Sequence, residues 1–158
     1  MIRPARPEDI PALVALVKEL AAYERAPDEV RLVAGDLRRA LFGESPAAFA
    51  QVAEVRGEVV GMAVWFLTFS TWTGRHGIWL EDLVVRRDLR GQGYGRALLG
   101  ALARLAVERG YARLEWAVLD WNEPAIGFYR HLGSAPQDEW TTHRVAGEAL
   151  TRLAGSPE

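Results

Sequence analysis

The chain has 158 residues and not one cysteine. Disulfides, thiolate-bound metals and a cysteinyl acyl-enzyme are therefore excluded. Lysine occurs once, as Lys18, among 19 basic residues. The three histidines, His76, His131 and His143, fall at no metal-ligand spacing, so no metal is expected. No apolar run reaches the ~18 residues of a membrane span. The opening MIRPARPEDI lacks the apolar segment of a secretory leader, so a cytoplasmic protein with no membrane partner is expected. Net charge is −2, which disfavours a general nucleic-acid surface.

What is present centres on one stretch, LEDLVVRRDLRGQGYGRALL, from Leu80 to Leu99. It opens apolar, as a strand would, and carries two adjacent acids, Glu81 and Asp82. It then passes through the glycine-spaced turn Arg90-Gly91-Gln92-Gly93-Tyr94-Gly95-Arg96 into a helical pattern. A strand delivering a glycine-rich turn onto a helix N-terminus makes an anion site, because first-turn amides lack intrahelical partners and the helix dipole is positive there. Glycine lets that backbone approach a phosphate closely. A P-loop is excluded, since no Gly-Lys-Ser/Thr follows. The dinucleotide fingerprint nearly fits from Gly91, with Asp120 as a ribose-binding acid, but Arg96 stands at its third glycine. The spacing present is Arg-x-x-Gly-x-Gly, from Arg90 through Gly93 to Gly95.

Read in order, the chain gives a short strand at its start and a helix from the Arg6-Pro7-Glu8-Asp9 region to about Tyr23. A second helix ends near Phe42. Strands follow at Ala48–Val55 and Val59–Phe69, then a polar loop from Ser70 to Gly77, then a strand at Ile78–Val85. A helix runs from Gly93 to about Arg109, and a strand from Arg113 to Leu119. Asn122 caps a short helix reaching His131, with Pro124 in its first turn. A last pair of strands is expected between Ala135 and Val145, then a terminal turn of helix. Hairpin strands followed by βαβ units imply an α/β (α+β) fold: a mixed sheet of six to seven strands with about four helices on both faces. Without a linker or repeat, residues 1–158 are read as one domain.

The Arg90–Gly95 motif resembles the pyrophosphate signature of the GNAT family of N-acetyltransferases. The opening helix ending in Tyr23-Glu24, the strand LEDLVV and the late stretch from Trp121 to Ser134 resemble one branch of that family. This branch holds the diamine (spermidine/spermine) and thialysine N-acetyltransferases. The resemblance covers about Ile2 to Val145, four motifs in order. It implies acetyl-CoA as co-substrate and a homodimer. It also implies direct acetyl transfer to the primary amine of a small cationic substrate: a polyamine, a diamine or a lysine-like amino acid such as thialysine. Acetylation of a protein or peptide is the alternative, and a non-catalytic acyl-CoA-binding module a third reading.

A primary amine with a pKa near ~10.4 is mostly protonated at neutral pH, so the site needs a base, and the departing thiolate benefits from an acid. The resemblance implies Glu81 as base and Tyr129 as acid. If the strand is regular, Asp82 points to the face opposite Glu81. The resemblance further implies that Leu83, Val84 and Val85 pair with the pantetheine arm. Arg90, Gly91, Gln92, Gly93, Tyr94, Gly95 and Arg96 would hold the pyrophosphate, and Asn122, Pro124, Ala125 and Tyr129 would line the cofactor. Tyr23, Glu24, Trp72, Glu81, Asp82 and Glu139 would face the amine. Ahead of Trp72 stands Ser70-Thr71, where the diamine enzymes carry an acid-proline pair. One anchor for a distal ammonium is thus missing, which counts against spermidine and leaves a shorter amine or a lysine-like amino acid open.

Overall fold

The computed structural model describes residues 1–155. Five strands form one sheet in the order β1-β2-β3-β4-β5. They are β1 (Ile2–Pro4), β2 (Phe49–Val55), β3 (Glu58–Ser70), β4 (Arg75–Val85) and β5 (Leu114–Glu115). The first four pair antiparallel and β5 joins β4 in parallel, so the sheet is mixed, as expected. The α-helices are α1 (Ile10–Tyr23), α2 (Ala34–Phe42), α3 (Tyr94–Glu108), α4 (Glu123–His131) and α5 (Gly147–Gly155). The chain divides into two compact units, Met1–Leu119 and the segment from Asp120 onward.

In the first unit, α1 and α2 cover one face of the sheet. Ile10, Leu13, Leu16, Leu37 and Leu41 form a buried cluster with Ala50, Val52, Met62, Val64 and Val84. The period of the α1 residues is helical and that of the β3 residues is two, so each element presents one apolar face. The opposite sheet face takes α3, whose Leu98, Leu99, Leu102 and Ala106 are buried. At Gly61 the packing is tight: a Cβ there would lie 3.0 Å from the Val84 carbonyl oxygen and 3.5 Å from Leu98 Cδ1.

Three local expectations are corrected. The sheet has five strands rather than six or seven, because residues 135–145 form no strand. That segment has Pro136, which cannot donate a ladder bond, Trp140 in it is 68% exposed, and its unit contains no strand among the described residues to pair with. Next, β5 is two residues long instead of seven. Its partner β4 is irregular just past the paired Ile78 and Trp79, and an irregularity of that kind bends a strand away. Finally, β4 starts at Arg75, so the expected loop shrinks to a turn after Ser70. Gly77 reads as a loop residue, but a Cβ there would lie 2.9 Å from Thr68 Oγ1 and 3.1 Å from the Arg113 carbonyl oxygen. It is glycine because Thr68 of β3 and Arg113, just ahead of β5, crowd it.

The N-terminus is tied down by one charged cluster. The Arg3 guanidinium donates to both oxygens of Asp9, at 2.7 and 3.0 Å, and to Glu54 at 2.6 Å. Asp9 also accepts from the Arg6 amide at 2.7 Å. Asp9 is 7% exposed and Arg3 13%, so removing either strands a buried charge. Asp9→Ala is expected to cost about 3 kcal/mol in urea unfolding at neutral pH. Its Arg3 partner holds the Asp9 carboxyl below its ordinary value of 3.8. The contribution is therefore complete above that value and is lost as pH falls through the lower folded one. An Asp9→Ala penalty unchanged in strong acid would refute the assignment.

Candidate active site

The register of β3 against β4 breaks between Val64 and Trp65. Val64 pairs with Asp82, while Trp65 pairs with Leu80. Glu81 is therefore an extra residue in β4, a β-bulge, with no cross-strand partner. Alternation resumes one residue late, with a consequence for the two acids. Val64 belongs to the α1 face, so its partner Asp82 does too, and Phe66, two residues on, brings Trp79 to the same side. The Trp79 indole Nε1–H donates to Glu81 Oε2 at 3.1 Å, so the Glu81 carboxylate reaches that side as well. The two acids do not point to opposite faces, as a regular strand would have them. The bulge turns both to one face.

At the end of α1, Asp82 lines a pocket of about 210 Å³ with Val17, Leu20, Ala21, Glu24, Ala26, Glu29 and Val30. Its lining is apolar on the α1 side and carries three carboxylates. Burial, helped by repulsion from Glu81 and Glu24, pushes the Asp82 carboxyl up to about 6. Burial raises Glu24 as well. Glu29 sits on the 3₁₀ turn Pro27–Glu29 and was not singled out in the sequence. A lone acid in a turn after a helix carries no signal of where the turn folds back.

Beyond Trp79, β4 has β3 on one edge and no described strand on the other. Leu83, Val84 and Val85 therefore lie on an edge without a second neighbouring strand, although the Val85 carbonyl already accepts from Arg90 Nε. Past a 3₁₀ turn at Arg87–Leu89, Gly91 and Gly93 take φ of +77° and +89°. Gly93 is the N-cap of α3, and no side chain caps that helix. The amides of its first turn, Tyr94, Gly95 and Arg96, thus lie at an uncapped helix start. Open space surrounds both glycines. An uncapped helix start with open space at its glycines is the geometry that suits an anion. The Arg90 side chain turns the other way. Its Nε donates to the Val85 carbonyl at 2.9 Å, its Nη2 lies 3.6 Å from Glu19, and its guanidinium covers the Tyr23 ring at 4.9 Å.

In the second unit, Asn122 is 7% exposed and caps α4, its side chain accepting from the Ala125 amide at 3.4 Å. Pro124 lies in the first turn of α4. Tyr129 is half-buried on the same helix, its ring 5.4 Å from that of Phe128. Glu139 is exposed, in an irregular stretch. Back in the first unit, Trp72 stands 89% exposed on the β3–β4 turn. Among the described residues no group of three or more His, Asp or Glu side chains is disposed to hold a metal, and no helix is long and apolar enough to cross a membrane.

The model of the Acetyltransferase (GNAT) family matches residues 13–133. The chain belongs to the GNAT family. This N-acetyltransferase is 39% identical to the thialysine N-epsilon-acetyltransferase of Bos taurus, over 98% of this chain and 97% of that protein. It is 32% identical to the spermidine/spermine N(1)-acetyltransferase-like protein 1 of Homo sapiens, over 97% of this chain but 23% of that protein. Among solved structures, an integron cassette protein from the mobile metagenome of V. cholerae superposes with a TM-score of 0.83. It is 27% identical, with 99% of this chain and 98% of that one covered. GNAT acetyltransferases use acetyl-CoA as co-substrate.

Because the folded Asp82 carboxyl titrates near 6 rather than 3.8, the folded acetyltransferase holds a proton there that the unfolded chain has lost. Stability thus falls as pH rises through that window and stays lower above it. Asp82→Asn is expected to stabilise the protein by on the order of 2 kcal/mol at neutral pH. Near about pH 4 the gain should vanish. Urea unfolding at the two pH values measures it, and an equal effect at both would contradict the raised value.

Proposed function

We propose that the protein acetylates the primary amine of a small cationic substrate, a diamine or a lysine-like amino acid, by direct transfer from acetyl-CoA in a ternary complex. The observation that carries this reading is the pocket at the end of α1, where Asp82, Glu24 and Glu29 stand over an apolar lining. A short methylene chain would lie on Val17, Leu20 and Ala21, with a distal ammonium between the carboxylates. Glu81, adjacent to Asp82 in the chain, would take the proton of the reacting amine. The names of the relatives, thialysine and spermidine/spermine acetyltransferases, support the same substrate class.

Bound acetyl-CoA supplies an acyl carbon open to attack by an amine. The open β4 edge at Leu83–Val85 would hold its pantetheine arm, and the amides of Gly91, Gln92, Gly93, Tyr94, Gly95 and Arg96 its pyrophosphate. Arg90 would shape that turn rather than reach the phosphate. Asn122, Pro124 and Ala125 would contribute the start of α4 to the cofactor. Tyr129 would give its hydroxyl proton to the departing sulfur, so that the proton gained at Glu81 balances the one given at Tyr129. Tyr23, Trp72 and Glu139 complete the proposed amine contacts. The family match crosses the boundary between the two units, which supports reading them as one catalytic domain. A cytoplasmic homodimer belongs to the same proposal and rests on family resemblance.

The test is thiol release from acetyl-CoA against lysine, thialysine, putrescine, spermidine, a monoamine and a short peptide. Preference for the diamine or lysine-like members is expected, and preference for the peptide would overturn the substrate class. Tyr129→Phe should lower kcat by about 100-fold. Binding of the cation favours the ionised form of Asp82, so amine affinity should strengthen as pH rises through about 6, and Asp82→Asn should abolish that dependence.

A further inference from the structure

We infer that Trp79 is the positioning residue for Glu81, holding the carboxylate in the orientation in which it accepts the substrate proton. The inference rests on the reading of Glu81 as the base. The bulge leaves Glu81 without a cross-strand neighbour, and the residue is exposed. A glutamate so placed would spread over many rotamers, and ordering it for proton transfer would cost side-chain entropy. Its neighbour Asp82 adds a second carboxyl beside it.

Trp79 supplies what the bulge takes away. It lies two residues earlier on the same face, is half-buried and stands opposite Phe66 in the strand register, so its side chain has less freedom to lose than an exposed one. Its Nε1–H lies 3.1 Å from Glu81 Oε2. An indole nitrogen only donates, so it cannot take a proton from the site or exchange roles with the carboxylate. One oxygen of Glu81 is thereby held and the other, Oε1, is left for the amine. A half-buried place opposite Phe66 asks only for a flat apolar side chain, which phenylalanine would provide equally. The N–H is the part of Trp79 that packing does not explain.

Two measurements test this. Trp79→Phe keeps the ring and loses the donor. With acetyl-CoA and the fastest amine of the panel, kcat should fall by about five- to tenfold, with KM for acetyl-CoA unchanged. In a Glu81→Gln background the same substitution should change kcat by less than about twofold, since the positioned group is gone. Equal losses in both backgrounds, or no loss in either, would overturn the inference. The second measurement needs no turnover. The indole N–H resonance absent from the Trp79→Phe spectrum identifies Trp79, and it should move upfield in Glu81→Ala. An unmoved resonance would also overturn the inference. Full activity in Glu81→Gln with the resonance displaced would instead remove Glu81 as base and leave the pairing intact.

Discussion

The loss of one cross-strand partner in β4 governs what the rest of the first unit can present. Glu81 stands between two paired residues with nothing opposite it. Because strand side chains alternate with a period of two, one extra residue reverses the facing of everything after it. Two adjacent carboxylates thereby share a face, next to the end of α1, at a cost seen in the raised Asp82 carboxyl. Folding alone would not select this arrangement, since like charges side by side in a partly buried place are unfavourable. A cation in the pocket that Asp82 lines with Glu24 and Glu29 would relieve the repulsion, which supports the amine proposed for it.

The same irregularity accounts for the far edge of the sheet. β5 follows β4 for two residues and then departs, leaving backbone groups of β4 without a neighbouring strand just before the glycine turn. An open edge is ordinarily a liability that proteins cover. Here it is followed, after the 3₁₀ turn at Arg87–Leu89, by the uncapped start of α3. A ligand that is strand-like at one end and anionic at the other matches both features together, and neither feature does so alone.

Much of this was legible in the residues. The helical periods of α1 and α3, the cap at Asn122 and the hairpin of β2 with β3 follow from local chemistry, and the glycine turn announces an anion site. The facing of Asp82 was not legible, because a bulge is set by how two strands register and leaves no mark in either one. Glu29 was missed for a related reason: its place beside Asp82 depends on a turn folding back across 53 positions of sequence. The strands expected at 135–145 do not form, since a strand is defined by its partner. Gly77 reads as a loop residue because the crowding that requires it comes from Thr68 across the hairpin and from Arg113, far along the chain.

Arg90 opens the glycine motif, yet its side chain is spent on α1, gripping Glu19 and lying across Tyr23. The amide of Arg87 is held by Glu19 as well, at 2.8 Å. The last turns of α1 and the approach to the glycine turn are therefore tied together by one side chain. Tyr23 and Glu24, proposed for the amine, and Gly91 to Arg96, proposed for the cofactor, are thus linked through two contacts on a single glutamate. Communication between the two substrates would then be built into the ground state of the fold, with no hinge or domain motion to carry it.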